Sequence, residues 1–258
     1  MEKYLFFFFL IVGAFCHAQT YRIQYVNYND TLNPKVKRGT IVQHQQDRSV
    51  AFYFLDASEK VGEKKLPLRP GESINTVIIQ AIDTQKVVIY KNFNSDQLAF
   101  LNPKGLGFKE EEIYTDSLHN FNWNLMQDTA RINSVVCRKA VCTWRGRNYV
   151  AWYAPSIPIS NGPWKFGGLP GLIVEVYDTD GVTYFKMNRL TYSDVSLPDF
   201  PTKFDGDFES FKQKFRQNFL RRKTVIESKN NSEDPSCVGC KSSVTITINT
   251  PEKLVGEY

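Results

Sequence analysis

The chain has 258 residues, a formal net charge of +5 and an aromatic fraction of 14%. That charge reads as mild and spread along the chain, which excludes a nucleic-acid footprint and leaves no more than a weak hint of anionic partners. The length suits one large domain or two small ones with a sizeable core, and the aromatic content leans towards sheets.

Residues 4–15 form an apolar run behind Glu2 and Lys3, and Cys16-His17-Ala18 follows it. The run is too short to span a bilayer and has the layout of a secretory signal peptide over 1–18, cleaved before Gln19. Phe15 sits where a lipoprotein signal needs a small residue, so lipidation is not expected. Glu2 and Lys3 cancel, so cleavage leaves the net charge unchanged. The expectation is an exported protein, periplasmic or outer-membrane-associated, with a single β-rich domain over 19–258. No transmembrane segment is expected after signal removal.

Residues 21–28 alternate well enough for a first strand, and 50–55 form an apolar run of strand length. Residues 56–73 are charged and Pro-rich and read as an excursion. Residues 86–93 and 97–101 read as strands around a polar turn at Asn94-Ser95-Asp96, and 121–125 alternates strictly. Residues 133–144 and 148–153 flank a hairpin loop at Arg145-Gly146-Arg147. Residues 172–177 and 183–190 flank Asp180-Gly181, a strong hairpin signal. Residues 244–248 close the chain with another alternation. One helix is expected over about 205–222, where Phe204, Phe208, Phe211, Phe215 and Phe219 recur at steps of three and four. That stripe reads as a face packed on a sheet, with a membrane-surface face as the alternative. The fold class is therefore mainly β: an antiparallel sheet, sandwich or open half-barrel, with one docked amphipathic helix.

Between 154 and 172 the chain concentrates four prolines and four glycines. Gly168-Leu169-Pro170-Gly171-Leu172-Ile173 is its sharpest part: Pro170 and Gly171 suit the two central positions of a type II turn. Turn signals at Gly162-Pro163 and Pro170-Gly171 bracket Trp164 and Phe166, which serves a structural corner or a binding lip equally well. Arg145, Arg147, Trp152, Trp164 and Lys165 are the candidate ligand-binding residues, because Arg over Trp is a cation–π pair and also a way to build an anion site.

The same stretch carries a family resemblance. Lys139-Ala140, Arg145-Gly146-Arg147, Ala151-Trp152-Tyr153, Ile157-Pro158, Gly162-Pro163-Trp164-Lys165-Phe166 and the Gly168–Ile173 hexapeptide resemble the GLPGLI family of exported Bacteroidetes proteins, which is named for that hexapeptide. The resemblance implies a β-rich cell-envelope protein of a Gram-negative host and no particular catalytic mechanism.

After signal removal four cysteines remain, Cys137, Cys142, Cys237 and Cys240, and all are disulfide candidates in an oxidising compartment. On one strand Cys137 and Cys142 face opposite sides roughly 16 Å apart, too far to bond to each other. The Cys237-x-x-Cys240 pair reads as a disulfide, a redox pair or half of a metal site. The strand-like sequence after it does not suit the second, and no second ligand pair supports the third. No metal or other cofactor is expected. His44 and His119 each stand in a polar context and read as surface residues, and the acidic run Glu110-Glu111-Glu112 reads as a solvated face. No nucleophile elbow, zinc-binding helix motif or phosphate-cradling loop occurs, so no catalytic residue is assigned and the chain reads as a non-enzyme. Asp30-Thr31-Leu32, Asp116-Ser117-Leu118 and Asp128-Thr129-Ala130 fit an Asp-Ser/Thr-apolar acceptor pattern for O-glycosylation at Thr31, Ser117 and Thr129, or plain turn chemistry. The functional expectation is a non-catalytic binding or accessory module. Its partner would be an outer-membrane protein, a peptide, a glycan or an apolar ligand held under the helix. The alternatives are a hydrolase whose polar residues converge only in space, and a purely structural envelope component.

Overall fold

The computed structural model describes residues 20–28, 38–54, 87–102, 104, 108–118 and 121–230. Over this range the alternating segments form β1 (Thr20–Tyr28), β2 (Arg38–His44), β3 (Arg48–Phe54), β4 (Val88–Asn92), β5 (Gln97–Asn102) and β6 (Glu112–Ser117). There follow β7 (Asn124–Ile132), β8 (Val135–Trp144), β9 (Arg147–Ala154), β10 (Leu172–Asp178), β11 (Tyr184–Ser193), β12 (Gly206–Asp207) and α1 (Phe208–Asn230). The signal segment, the 56–73 excursion, the 244–248 alternation, His119, Thr31, Cys237 and Cys240 lie outside the described residues.

All twelve strands belong to one sheet, ordered β12-β6-β5-β4-β3-β2-β1-β11-β10-β9-β8-β7. Two antiparallel meanders, β1 to β6 and β7 to β11, meet where β1 pairs with β11, and only β12 lies parallel to its neighbour. Directly opposed residues share a face. The register therefore traces one buried row through Tyr114, Phe100, Ile89, Ala51, Val42 and Ile23, continued on the second meander by Phe185, Val176, Ala151 and Ala140. This row is the concave face. The sheet curls until β6 and the β8–β9 turn touch: the Asp116 carboxylate lies 2.8 Å from the Arg145 guanidinium. A single curved sheet is the open half-barrel of the two architectures expected.

Several elements differ from the sequence reading, each for a local reason. Asn133 and Ser134 both adopt positive φ, at 48° and 66°, and form the two-residue turn between β7 and β8 rather than the start of a strand. Arg145 (φ 46°) and Gly146 (φ 78°) form the next such turn, so Arg147 already belongs to β9. These are the mirror-type turns whose twist matches a hairpin. β7 is an exposed edge strand and alternates weakly, while β2 and β6 set polar residues such as Thr40, His44 and Asp116 on the buried face, so no apolar period marks them. Asp128-Thr129-Ala130, read as a turn candidate, sits inside β7, and Phe121–Trp123 precede the strand.

Helix α1 starts at Phe208, four residues after Phe204, which stays 41% exposed; the stripe that docks is Phe208, Phe211 and Phe215. Asp207 caps it, its carboxylate accepting the backbone N–H of Ser210 at 2.8 Å. Phe211 packs on Phe100, Phe108 and Tyr114. The helix also corrects the charge reading. Its seven Lys and Arg against two Glu give +5, which equals the net charge of the whole chain, so the remainder is neutral.

The Pro170-Gly171 corner is tighter than the type II turn expected. The Gly171 N–H bonds to Leu169 O at 2.8 Å, a three-residue turn centred on Pro170. Gly171 holds φ at 147°, and a Cβ there would lie 2.3 Å from the carbonyl oxygen of Ala154. Ala at Gly171 is thus expected to cost about 2 kcal/mol or more in unfolding free energy. Ala at Gly167, whose new carbon would come no closer than 3.5 Å to a neighbour, is the tolerated control. Urea titration of the two variants checks this.

Candidate functional site

Of the linker 155–171, residues 161–167 run buried inside the curl of the sheet, and the chain there is hard to bury. Its conformation is irregular, and the carbonyls of Gly162 and Phe166 are met by a side chain rather than by a ladder. A polar row on the concave face meets it. In register across β6 to β1 this row reads Asp116, Leu98, Lys91, Ser49, His44 and Tyr21.

Lys91 lies at its centre and is 1% exposed. Its ammonium donates to Asn161 Oδ1 at 2.8 Å, Phe166 O at 2.6 Å and Gly162 O at 3.3 Å. Three donors thus meet three neutral acceptors. Burial without a carboxylate lowers its pKa to about 7. Asn161 uses its whole amide. Its Oδ1 accepts Lys91 and the Gly162 N–H, while its Nδ2 donates to Ser49 Oγ at 2.9 Å and faces His44 Nδ1 at 3.3 Å. That contact wants an unprotonated Nδ1, in agreement with the lowering of the His44 pKa to about 4 by burial, then by Lys91, against a smaller opposing effect of Asp47. His44 is buried, a correction to the surface position expected of it: the polar residues around it in sequence form the row that receives the linker. Tyr25 OH donates to Ile173 O at 2.8 Å and Trp123 Nε1–H to Gly167 O at 2.9 Å.

At the end of the row Asp116, 4% exposed at its side chain, takes both Arg145 nitrogens at 2.9 and 2.8 Å and Lys165 Nζ at 2.9 Å. Burial raises the Asp116 pKa, but Lys165 and Arg145 together outweigh it and hold the carboxyl below its ordinary value. The Arg145 guanidinium lies 4.3 Å from the Trp144 ring centre and 3.2 Å from that of Phe208. Lys165 Nζ lies 4.1 Å from the ring centre of Phe100. Phe166, fully buried, joins Phe121, Tyr149, Trp164 and Phe185 in the centre of the curl.

Of the five candidate ligand residues, the structure brings Arg145 and Lys165 together on Asp116, with the Trp164 ring centre 5.4 Å from Lys165 Nζ. Arg147 is turned to Asp180 of the β10–β11 hairpin, 2.9 Å away. Trp152 alternates with the inward Ala151 and Tyr153 and stands on the outer face, opposed to Lys139 and Glu175. In the hexapeptide Leu169, Leu172 and Ile173 are buried, while Gly168 and Pro170 are exposed. Cys137 and Cys142 are buried free thiols. Burial pushes the Cys142 pKa up to about 12 and raises that of Cys137. Among the described residues no three of His, Cys, Asp and Glu gather for a metal, and no helix is long and apolar enough to cross a membrane.

The sequence reading missed Lys91, Asn161 and Asp116. Asp116 was masked by its Asp-Ser-apolar pattern, and Lys91 by looking like the solvated half of an alternating strand. Two cations, Arg145 and Lys165, were named without the carboxylate that holds them.

Residues 145–175 match a family model described as "Protein of unknown function (Porph_ging)". No curated protein matches the chain. Among solved structures, PNGF-II in the P21 space group is 18% identical with a TM-score of 0.51, covering 78% of this chain and 34% of that one. PNGF-II in the C2 space group is 18% identical with a TM-score of 0.49, covering 78% and 33%. At this identity the first likeness shows a shared fold alone, and this chain spans about a third of the length of PNGF-II.

Asn at Asp116 leaves Arg145 and Lys165 without a counter-charge and is expected to destabilise the fold by about 3–5 kcal/mol in urea titration. The pH dependence has a defined sign. The pKa of Lys91 is near 7 folded and 10.5 as its ordinary value, so the unfolded chain binds more protons between them and stability rises with pH. From pH 7 to about 9 the unfolding free energy should climb more steeply than in Lys91→Met, by up to about 1.4 kcal/mol per pH unit. Parallel profiles would contradict this.

Proposed function

We propose that this chain is a GLPGLI-family protein acting as a non-catalytic binding or accessory module of the periplasm or outer membrane. The family reading rests on the block from Arg145 to Ile173, which falls within the 145–175 match. The observation that carries the functional reading is the use of the concave face. It is filled by the buried run 161–167 of the chain's own linker, and its charged groups are held by intramolecular partners. A cargo under the helix would have to displace Phe166 and the Asp116 cluster, so partner binding belongs to the outer surfaces. A fold that reappears over a third of PNGF-II also fits an accessory role beside other parts of a larger protein.

One observation favours a hydrolase as the second reading. Lys91 has a pKa near 7 and lies beside Ser49 and His44, a nucleophile and two bases within one register row. Enclosure weighs against it: Ser49 and Lys91 are each 1% exposed. Protein purified from its native envelope fraction is expected to carry a bound partner by native mass spectrometry and to show no ester or amide turnover. Turnover abolished by Ser49→Ala in a protein of unchanged thermal stability would reverse the choice.

A further inference from the structure

Lys91 and Asn161 meet out of reach of solvent, each 1% exposed. The partners of the Lys91 nitrogen among the described residues are all amide oxygens. Burial without a counter-charge favours the neutral amine, which is a nucleophile, and the Lys91 pKa is already lowered to about 7. An amine that has given up one proton keeps two N–H groups for Phe166 O and Gly162 O, and its lone pair turns to the Asn161 amide. The nitrogen lies 2.8 Å from Oδ1. The carbon bonded to that oxygen is therefore roughly 3–4 Å away, close to the distance of attack. Both ends of the amide are prepared for it. The Gly162 N–H, 2.8 Å from Oδ1, stands where negative charge develops when the carbon is attacked. At the other end Nδ2 lies 3.3 Å from His44 Nδ1 and 2.9 Å from Ser49 Oγ. Burial lowers the His44 pKa to about 4, so its Nδ1 is open to a proton. Holding the linker requires donors; it does not require an unprotonated imidazole behind the amide.

We propose that Lys91 and Asn161 join in an isopeptide bond formed by the folded chain itself. The Lys91 nitrogen attacks Asn161 Cγ, and the bond from that carbon to Nδ2 breaks. The hydrogen shed by Lys91 passes through His44 to Nδ2, which leaves as ammonia. One bond forms, one breaks and one hydrogen moves, so no oxidant, reductant or further reactant is needed. Burial keeps out the water that would compete for the carbon. The enclosure that weighs against a hydrolase is thus what this single-turnover chemistry needs. The product ties β4 to the linker across 70 residues of chain. The rise of stability expected above pH 7 belongs to freshly folded chain, in which the amine is still free. Attack by the Gly162 nitrogen on the same carbon would also release ammonia, closing a cyclic imide, and the experiment separates the two. The proposal goes beyond the module reading and does not depend on it.

The test is tandem mass spectrometry of the purified full chain, digested after denaturation. Folded protein incubated at about pH 8, above the Lys91 pKa, is expected to yield one branched peptide. It joins the segments holding Lys91 and Asn161 and is lighter by one ammonia than the two together. Chain recovered from inclusion bodies in urea should give the two segments separately and gain the branch only on refolding. Lys91→Arg, which keeps donors and charge but removes the amine, should show no branch. His44→Phe should form it about a hundredfold more slowly. Circular dichroism confirms that each variant is folded. Two separate segments from the folded parent protein overturn the proposal. So does loss of ammonia without a branch, the mark of the imide at Asn161-Gly162. An unchanged rate in folded His44→Phe overturns the role given to His44. None of these results touches the accessory-module reading, which bound partner and Ser49-dependent turnover decide.

Discussion

An irregular segment cannot be buried unless something supplies hydrogen bonds to its carbonyls; in this fold backbone N–H groups serve those of Ile157, Ile159, Asn161, Pro163 and Leu169, and those of Gly162 and Phe166 fall to Lys91. Its three donors meet Asn161, Gly162 and Phe166 at the centre of the curl. Tyr25 OH donates likewise to Ile173 O and Trp123 Nε1–H to Gly167 O, while Ser49 Oγ and His44 Nδ1 take up the amide nitrogen of Asn161. These partners come from β1 to β4 and from Trp123 just before β7, so satisfying the linker ties the first meander to the start of the second. An unpaired buried amide or carbonyl costs about 1–3 kcal/mol. The arrangement therefore holds together as a network, and its loss is expected to be cooperative.

The Asp116 cluster closes the same curl from its rim. One carboxylate, two cations and the ring of Phe208 link β6, the β8–β9 turn, the linker and the start of α1. This explains why residues that look like a ligand site in the sequence serve the fold. Arg145 and Lys165 have the chemistry to hold an anion, and the anion they hold is Asp116. The concave face is thus closed by the chain's own groups, and α1 carries the largest net charge of the described elements.

The fold class was legible because alternation survives wherever one strand face is buried, as in β1, β4, β5 and β9, and because Asp180-Gly181 announces its hairpin. The helix was legible from its Phe period, although Phe204 does not belong to it. What the sequence hid were residues whose role depends on register. Lys91, Ser49 and His44 are opposed only once β2, β3 and β4 pair, and Asp116 meets Arg145 only when the sheet has curled. No local pattern reports a pairing between strands at opposite ends of a sheet. The turn at Gly171 was half legible: its positive φ followed from Pro-Gly, but its closeness to Ala154 is a tertiary fact.

Native-state hydrogen exchange on residues 155–173 tests the central claim most directly. If the linker is an integral part of the core, the amides of Phe166, Leu172 and Ile173 exchange only with global unfolding, at the same free energy as those of β10 and β1. If these amides exchange through a local opening while the strands stay protected, the linker is a detachable plug and does not tie the two meanders together.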